Sequence, residues 1–150
     1  AAVSEALIDI NTGENRILRA DIIQDCGKSL NANIDIGQIE GGFIQGLGWL
    51  TCEELYFSKE GKLLTTGPST YKLPGSRDTP SIFNVKLLEN ADNDEKTIFR
   101  SKAVGEPPLL LAISHFLALK EAIKVASSSS NPEILNSPAT PSEILKAINS

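Results

Sequence analysis

Residues 101–126, Ser101-Lys-Ala-Val-Gly-Glu-Pro-Pro-Leu-Leu-Leu-Ala-Ile-Ser-His-Phe-Leu-Ala-Leu-Lys-Glu-Ala-Ile-Lys-Val-Ala126, set one carboxylate, Glu106, directly before two prolines and a long apolar run. From Pro107 onward Leu110, Leu111, Ile113, Phe116, Leu117, Leu119, Ala122, Ile123 and Val125 recur three and four positions apart, which predicts a helix with a wide buried stripe. Proline suits the first helical position, because it lacks the N–H that would be unpaired there and its φ is already near the helical value. A residue before proline is pushed from the α region, so Glu106 is expected to be extended, at the mouth of the helix and near the positive end of its dipole.

Working outward, Val3 to Ile10 alternates as a strand, Asn11-Thr-Gly-Glu14 supplies a turn with Gly13 free to take positive φ, and Arg16 to Gln24 returns as a second strand. Residues 3 to 25 therefore predict a hairpin. After a loop at Asp25 to Asn31, a helix is expected to begin near Asn33 or Asp35, where a short polar oxygen caps the first N–H groups. Its apolar positions Ile36, Ile39, Phe43, Leu47, Leu50 and Leu55 keep helical spacing, yet it carries Gly37, Gly41, Gly42, Gly46 and Gly48. Each costs roughly 1 kcal/mol relative to alanine, so the glycines need a reason. Ile39, Gly42 and Gly46 form a smooth strip, open to close approach by a backbone or rigid flat ligand, or simply to close helix–strand packing. Ser58 to Gly61 reads as a turn, Lys62 to Thr66 as a short strand, and residues 67–80 as a long irregular connection of the kind that often serves function. Ile82 to Leu88 and Thr97 to Ser101 read as two strands that pair around the acidic tip Glu89 to Glu95. That arrangement delivers the chain from a strand into Glu106. Ser127 to Ser130 predicts an exposed linker, followed by a final helix Ser142 to Ile148 with Thr140 as N-cap, Pro141 at its first position and Glu143 completing a capping box. The fold class expected is α+β, a hairpin and additional strands packed with two long helices.

Composition narrows the function. The chain has 150 residues, 41% hydrophobic, enough for a domain with a real core. Net charge is −5 and no basic stripe is present, which argues against nucleic acid and anionic membrane as partners. No apolar run is long enough to span a bilayer. Cys26 and Cys52 form no CxxC pair, so neither a disulfide framework nor a cysteine-rich metal site is indicated, and no protein-ligated metal is expected. The opening in mid-pattern and the lack of methionine fit a piece of a longer polypeptide. Gly-Gln-Ile-Glu-Gly-Gly42 lacks the lysine–hydroxyl pair of a phosphate loop and the spacing of a dinucleotide fingerprint.

Glu106 is the one acid with a special position. It reads either as a helix-terminal carboxylate contributing about 0.3–1 kcal/mol through the dipole, or as a general base in reach of a substrate proton. His115, the sole histidine, falls within the apolar helix, where packing or a rim position outweighs a ligand role. Gln38 is an amide on the glycine-rich face, able to donate and accept together.

Five ordered motifs then carry a likeness: Asp21-Ile-Ile-Gln-Asp-Cys-Gly-Lys-Ser-Leu-Asn31, Ile34-Asp-Ile-Gly-Gln-Ile-Glu-Gly-Gly-Phe-Ile-Gln-Gly-Leu-Gly48, Gly67-Pro-Ser-Thr-Tyr-Lys-Leu-Pro74, Ser101-Lys-Ala-Val-Gly-Glu-Pro-Pro-Leu109 and Ser137-Pro-Ala-Thr-Pro141. In order and spacing they resemble the C-terminal part of the molybdenum-binding domain of the xanthine dehydrogenase/oxidase family. The likeness covers nearly the whole chain. It implies a C-terminal segment, residues 1–150, of a molybdopterin-binding domain, with 127–150 a linker and short helix within it. It also implies a large parent enzyme that hydroxylates hypoxanthine and xanthine toward urate, with oxygen from water, as part of purine catabolism. In that family the glutamate of Val-Gly-Glu-Pro-Pro, here Glu106, takes the proton from a molybdenum-bound hydroxyl. Gln38 is implied to lie near the molybdopterin, which holds the metal itself, and the backbone around Val104 and Gly105 near the metal centre, the three being the implied cofactor-binding residues. FAD, two 2Fe-2S clusters and NAD belong to the implied parent, a cytoplasmic homodimer. The iron–sulfur, flavin and substrate-positioning segments are absent here, so the isolated chain is expected to be inactive. Asn31-Ala-Asn33 stands where relatives often have Asn-Pro-Ala. Aldehyde oxidase shares the motifs and is the nearest alternative, and a non-catalytic domain with Glu106 as a cap is the alternative of another kind.

Overall fold

The computed structural model describes residues 1–127 and 135–150 and has an α+β architecture. Strands β1 (Ala2–Ile8) and β2 (Asn15–Gln24) form the expected antiparallel hairpin. Its turn closes through Asp9, whose carboxylate accepts from the Asn11 and Thr12 amides, and through Gly13 at φ 74°. Glu5 pairs with Arg19 but Ala6 with Ile17, so Leu18 is an extra residue in β2. This bulge switches the alternation phase, which puts Ile17 on the same buried face as Ala20 and Ile22 despite the odd spacing.

Helix α1 (Ala32–Thr51) crosses that face and buries Ile39, Phe43 and Leu47 against β2. It starts earlier than expected: Asn31, not Asn33 or Asp35, is the N-cap, its side chain accepting from the Ile34 amide at 3.3 Å. It also stops before Leu55, at Cys52, whose N–H bonds to the Gly48 carbonyl at 2.9 Å. Strand β3 (Ile82–Leu87) joins β2 in parallel, giving the order β1-β2-β3. Phe83 on β3 meets Phe43 with ring centroids 5.5 Å apart.

Residues 97–101, expected as a strand paired with Ile82–Leu88, form instead a tight turn around the 3₁₀ segment Ile98–Arg100. Phe99 and Arg100 take φ of 50° and 59°, which no ladder accepts. Local side chains hold the turn: Thr97 Oγ1 donates to the Ser101 carbonyl and Ser101 Oγ to the Ile98 carbonyl, both at 2.7 Å. Residues 62–66 likewise make only one bridge, Leu63 with Phe57, because the turn at Ser58–Gly61 reverses the chain with too few partners to extend.

The segment after Glu106 begins as a 3₁₀ helix, Pro107–Ala112, and continues as α2 (Ile113–Ala126). The change from three to 3.6 residues per turn breaks the phase of the apolar run. Leu119 and Ile123 are buried as expected, whereas Leu110, Ile113, Leu117 and Val125 are exposed. The buried side of α2 packs on β1, where Ser4 Oγ and Ser114 Oγ share a 2.7 Å hydrogen bond, and on α3 (Pro141–Ile148) through Ile144, Ala147 and Ile148. The capping box at α3 does not form. Glu143 is taken by Lys146 and Asn136, and Thr140 Oγ1 pairs with Ser142 Oγ. Of the expected serine linker, residues 128–130 lie outside the described residues.

Among the helix glycines, Gly42 and Gly46 have a clear cause. The 3₁₀ segment lies in the groove they leave, so that a Cβ on Gly46 would overlap the Leu109 carbonyl oxygen, while one on Gly41 would meet nothing. Gly46→Ala is therefore expected to cost about 1–3 kcal/mol by overpacking. Gly41→Ala is expected to raise stability by up to about 1 kcal/mol. Urea unfolding of the two variants side by side checks both signs.

Candidate active site

Residues Ser101 to Glu106 have no regular secondary structure, and their course is set by what they lie against. At the upstream end Ser101 bridges to Gly27, the Lys102 N–H donates to the Cys26 carbonyl at 2.8 Å, and Lys28 N–H donates to the Arg100 carbonyl at 3.1 Å. Lys102 Nζ reaches Asp25 Oδ2 at 2.6 Å, while Asp25 Oδ1 accepts from the Gly27 amide at 2.9 Å. The Lys102 ammonium, followed by the Gly27 N–H, holds the Asp25 carboxyl below its ordinary value. Sequence reasoning missed this pair, and its only trace was the Asp-Cys-Gly turn.

At the downstream end the backbone enters the α1 groove. The Gly105 carbonyl oxygen comes within 3.1 Å, and Pro108 Cβ within 3.2 Å, of where a Cβ on Gly42 would stand. To enter that groove the chain must turn sharply at Glu106, and Leu109 N–H closes the turn on the Glu106 carbonyl at 3.0 Å. Glu106 consequently has φ −91° and ψ −32°, the helical region, not the extended conformation its proline neighbour favours locally. It also follows irregular chain rather than a strand. Tertiary packing has overridden the local preference.

These contacts bring together three of the four residues singled out in the sequence. Gln38 Oε1 lies 3.4 Å from where a Cβ on Gly105 would be, and Gly105 immediately precedes Glu106. Gln38, Gly105 and Glu106 are all exposed on this surface, whereas Val104 is half-buried and packs on the core of β2 and α1 as an anchor. Glu106 occupies the N-cap position, yet its side chain makes no capping hydrogen bond. Its carboxylate is thus not used by the helix. The surface offers an amide, a backbone without side chain at Gly105 and a carboxylate, with open ground at Gly37 and Gly41 beside them. Such a wall suits a polar, planar group approaching closely. Among the described residues no three His, Cys, Asp or Glu side chains are grouped as direct ligands of a metal would be.

A concavity of about 910 Å³ lies elsewhere, between the α1 C-terminal end, β2 and the 70–79 loop, and includes none of these four residues. The loop itself is tied down by Tyr71 OH donating to Glu53 Oε2 at 2.5 Å.

Residues 1–80 match the model of the family described as molybdopterin cofactor-binding domain. The chain belongs to that family. It is 54% identical over 153 residues to the xanthine dehydrogenase/oxidase of Felis catus and 51% over 151 residues to that of Rattus norvegicus, each alignment covering 97% of this chain. The chain spans 11% of the length of these relatives. Among solved structures it is similar to quinoline 2-oxidoreductase from Pseudomonas putida 86, with a TM-score of 0.82 and 28% identity, covering 94% of this chain and 17% of that one. For a molybdopterin-binding wall, the fit of the residues present is chemical: amide and carboxylate surround a glycine that lets a flat group approach. No helix among the described residues is long and apolar enough to cross a membrane.

Of the packed and rim positions expected for His115, the structure shows the packed one. It is 1% exposed, and neither ring nitrogen has a partner. Against an ordinary value of 6.5, burial lowers its pKa to about 4. The unfolded chain therefore binds the extra proton first, so His115's contribution is fully present above about pH 6.5 and is lost as pH falls toward about 4. The loss amounts to about 3 kcal/mol. His115→Leu is expected to abolish this share of the pH dependence and to raise stability by about 1–3 kcal/mol, since no hydrogen bond is given up. The difference in urea midpoint between the two proteins across pH 4 to 7.5 measures it.

Proposed function

We propose that residues 1–150 form the C-terminal segment of the molybdopterin-binding domain of a xanthine dehydrogenase-type molybdenum hydroxylase, with Glu106 as its general base. The observation that carries this reading is the exposed Glu106 carboxylate, unused by the helix it opens, one residue from a glycine that faces Gln38. When bound, molybdopterin supplies the two-electron oxidation of the substrate carbon. The chain's own residues do the rest on this side of the site. Glu106 takes up the proton of the water-derived oxygen nucleophile, a role that needs a carboxylate held at the correct place but not consumed by other hydrogen bonds. Gln38 donates and accepts toward the pterin through one amide. Gly105 leaves room for it, and Val104 anchors the loop in the core.

The substrates proposed are hypoxanthine and xanthine, converted toward urate with water as oxygen source. The parent would pass electrons through two 2Fe-2S clusters and FAD to NAD or oxygen, and would work as a cytoplasmic homodimer. Likeness to xanthine dehydrogenases over 97% of the chain favours purine over aldehyde oxidation. The competing role for Glu106, a helix cap, has no cap hydrogen bond to support it.

In the full-length enzyme Glu106→Gln is expected to retain molybdenum and to lose turnover by about 10²–10⁴-fold, the usual range for a positioned base. Xanthine oxidation at the parental rate would rule out the base assignment. The purified 150-residue chain, measured by elemental analysis, is expected to hold no stoichiometric molybdenum, because it supplies one wall only.

A further inference from the structure

The Glu106 loop must be held in register with Gln38, and the groove on α1 fixes only its downstream end. Upstream, the hold is on the turn Asp25–Gly27. There Gly27, at φ 63°, admits the approach of chain 100–102: a Cβ would overlap the Arg100 carbonyl oxygen and stand 3.0 Å from the Lys102 nitrogen. The Asp25 carboxylate divides its oxygens between its own turn, through Gly27 N–H, and the Lys102 ammonium. The same connection runs on to α1, where Ser29 Oγ donates to Asp35 Oδ2 at 2.5 Å, one helical turn before Gln38. A continuous series of contacts therefore links the loop bearing Glu106 to the helix bearing Gln38.

We propose that Asp25 and Lys102 are a positioning pair that fixes the placement of the Val104–Glu106 loop for the reaction, without touching substrate or cofactor. This rests on the assignment of Glu106 as base. The pair is well placed for the task. It closes a 77-residue separation at the last side chain before three residues, Ala103, Val104 and Gly105, that have no hydrogen-bonding side chain of their own. Both side chains are about one third exposed, 34% and 39%, so the pair adds little to overall stability. Displacement of a catalytic group by a fraction of its contact distance, in contrast, lowers rate steeply.

The test uses the full-length enzyme with Lys102→Met, Asp25→Asn, the double variant and Lys102→Arg, compared with Glu106→Gln. Asp25→Asn keeps an oxygen for the Gly27 amide and removes only the charge. Amide hydrogen exchange is expected to quicken roughly tenfold at Lys28, Lys102 and Leu109, whose N–H groups hold the two ends of the loop, in Lys102→Met, with β2 and α2 unchanged, as for a local opening. Turnover per bound molybdenum is expected to fall roughly tenfold while KM and molybdenum content hold, as for a misplaced group. Lys102→Arg should restore both, and the double variant should be no worse than either single one. Unchanged exchange and turnover in Lys102→Met would overturn the proposal, and so would exchange raised throughout the domain, which marks a general stability role. If Glu106→Gln stays active, the base assignment fails, while the exchange data still judge the pair. If Glu106→Gln is inactive and Lys102→Met is normal by both measures, the pair alone fails.

Discussion

Close approach of two backbones organises this molecule. Gly42 and Gly46 leave a groove on α1, and the chain from Gly105 to Leu109 fills it, carbonyl oxygens against the helix. A side chain at either glycine would hold the segment off by the thickness of a methyl group. The helix gives up roughly 1 kcal/mol of propensity at each glycine, and burial of Pro108 and Ala112 in the groove offsets that loss. The turn at Glu106 is a consequence of this fit. So is the exposure of Glu106, because Pro107 and Pro108 fix the direction in which the following segment leaves.

The site that results is a wall. Gln38, Gly105 and Glu106 lie on open surface, and the 910 Å³ cavity is elsewhere. One face of the sheet has the same character: Val3, Leu7 and Ile23 stand exposed beside a polar group in which Arg19 and Asn84 both bond the Asp21 carboxylate. The polar group satisfies itself within the chain, whereas the apolar side chains stay exposed among Glu5, Arg19 and Asp21.

Much was legible from short-range rules. The hairpin followed from alternation and the Gly13 turn, α1 and α2 from their periodicity, and the start at Pro107 from proline's fixed φ. Where those rules failed, a competing local or distant contact had won. Thr97 and Ser101 hydroxyls captured backbone carbonyls and turned an expected strand into a tight loop. Lys146 and Asn136 drew Glu143 from the capping box. The Leu18 bulge shifted a face that simple alternation assigns wrongly. His115 was legible as packed, but not as unpartnered, because its neighbours come from other parts of the fold.

The residues of the site divide in the same way. By itself the sequence singled out Glu106 and Gln38 and the motifs that accompany them, since residue type, proline φ and glycine tolerance act within a few positions. Only the tertiary structure decided that Gln38 stands over Gly105, that β3 lies parallel to β2, that Glu106 is helical rather than extended, and that Lys102 finds Asp25. Each of these depends on groups far apart in the chain, 77 residues in the last case, whose meeting is set by the packing of α1 on the sheet and not by the spacing of residues along it.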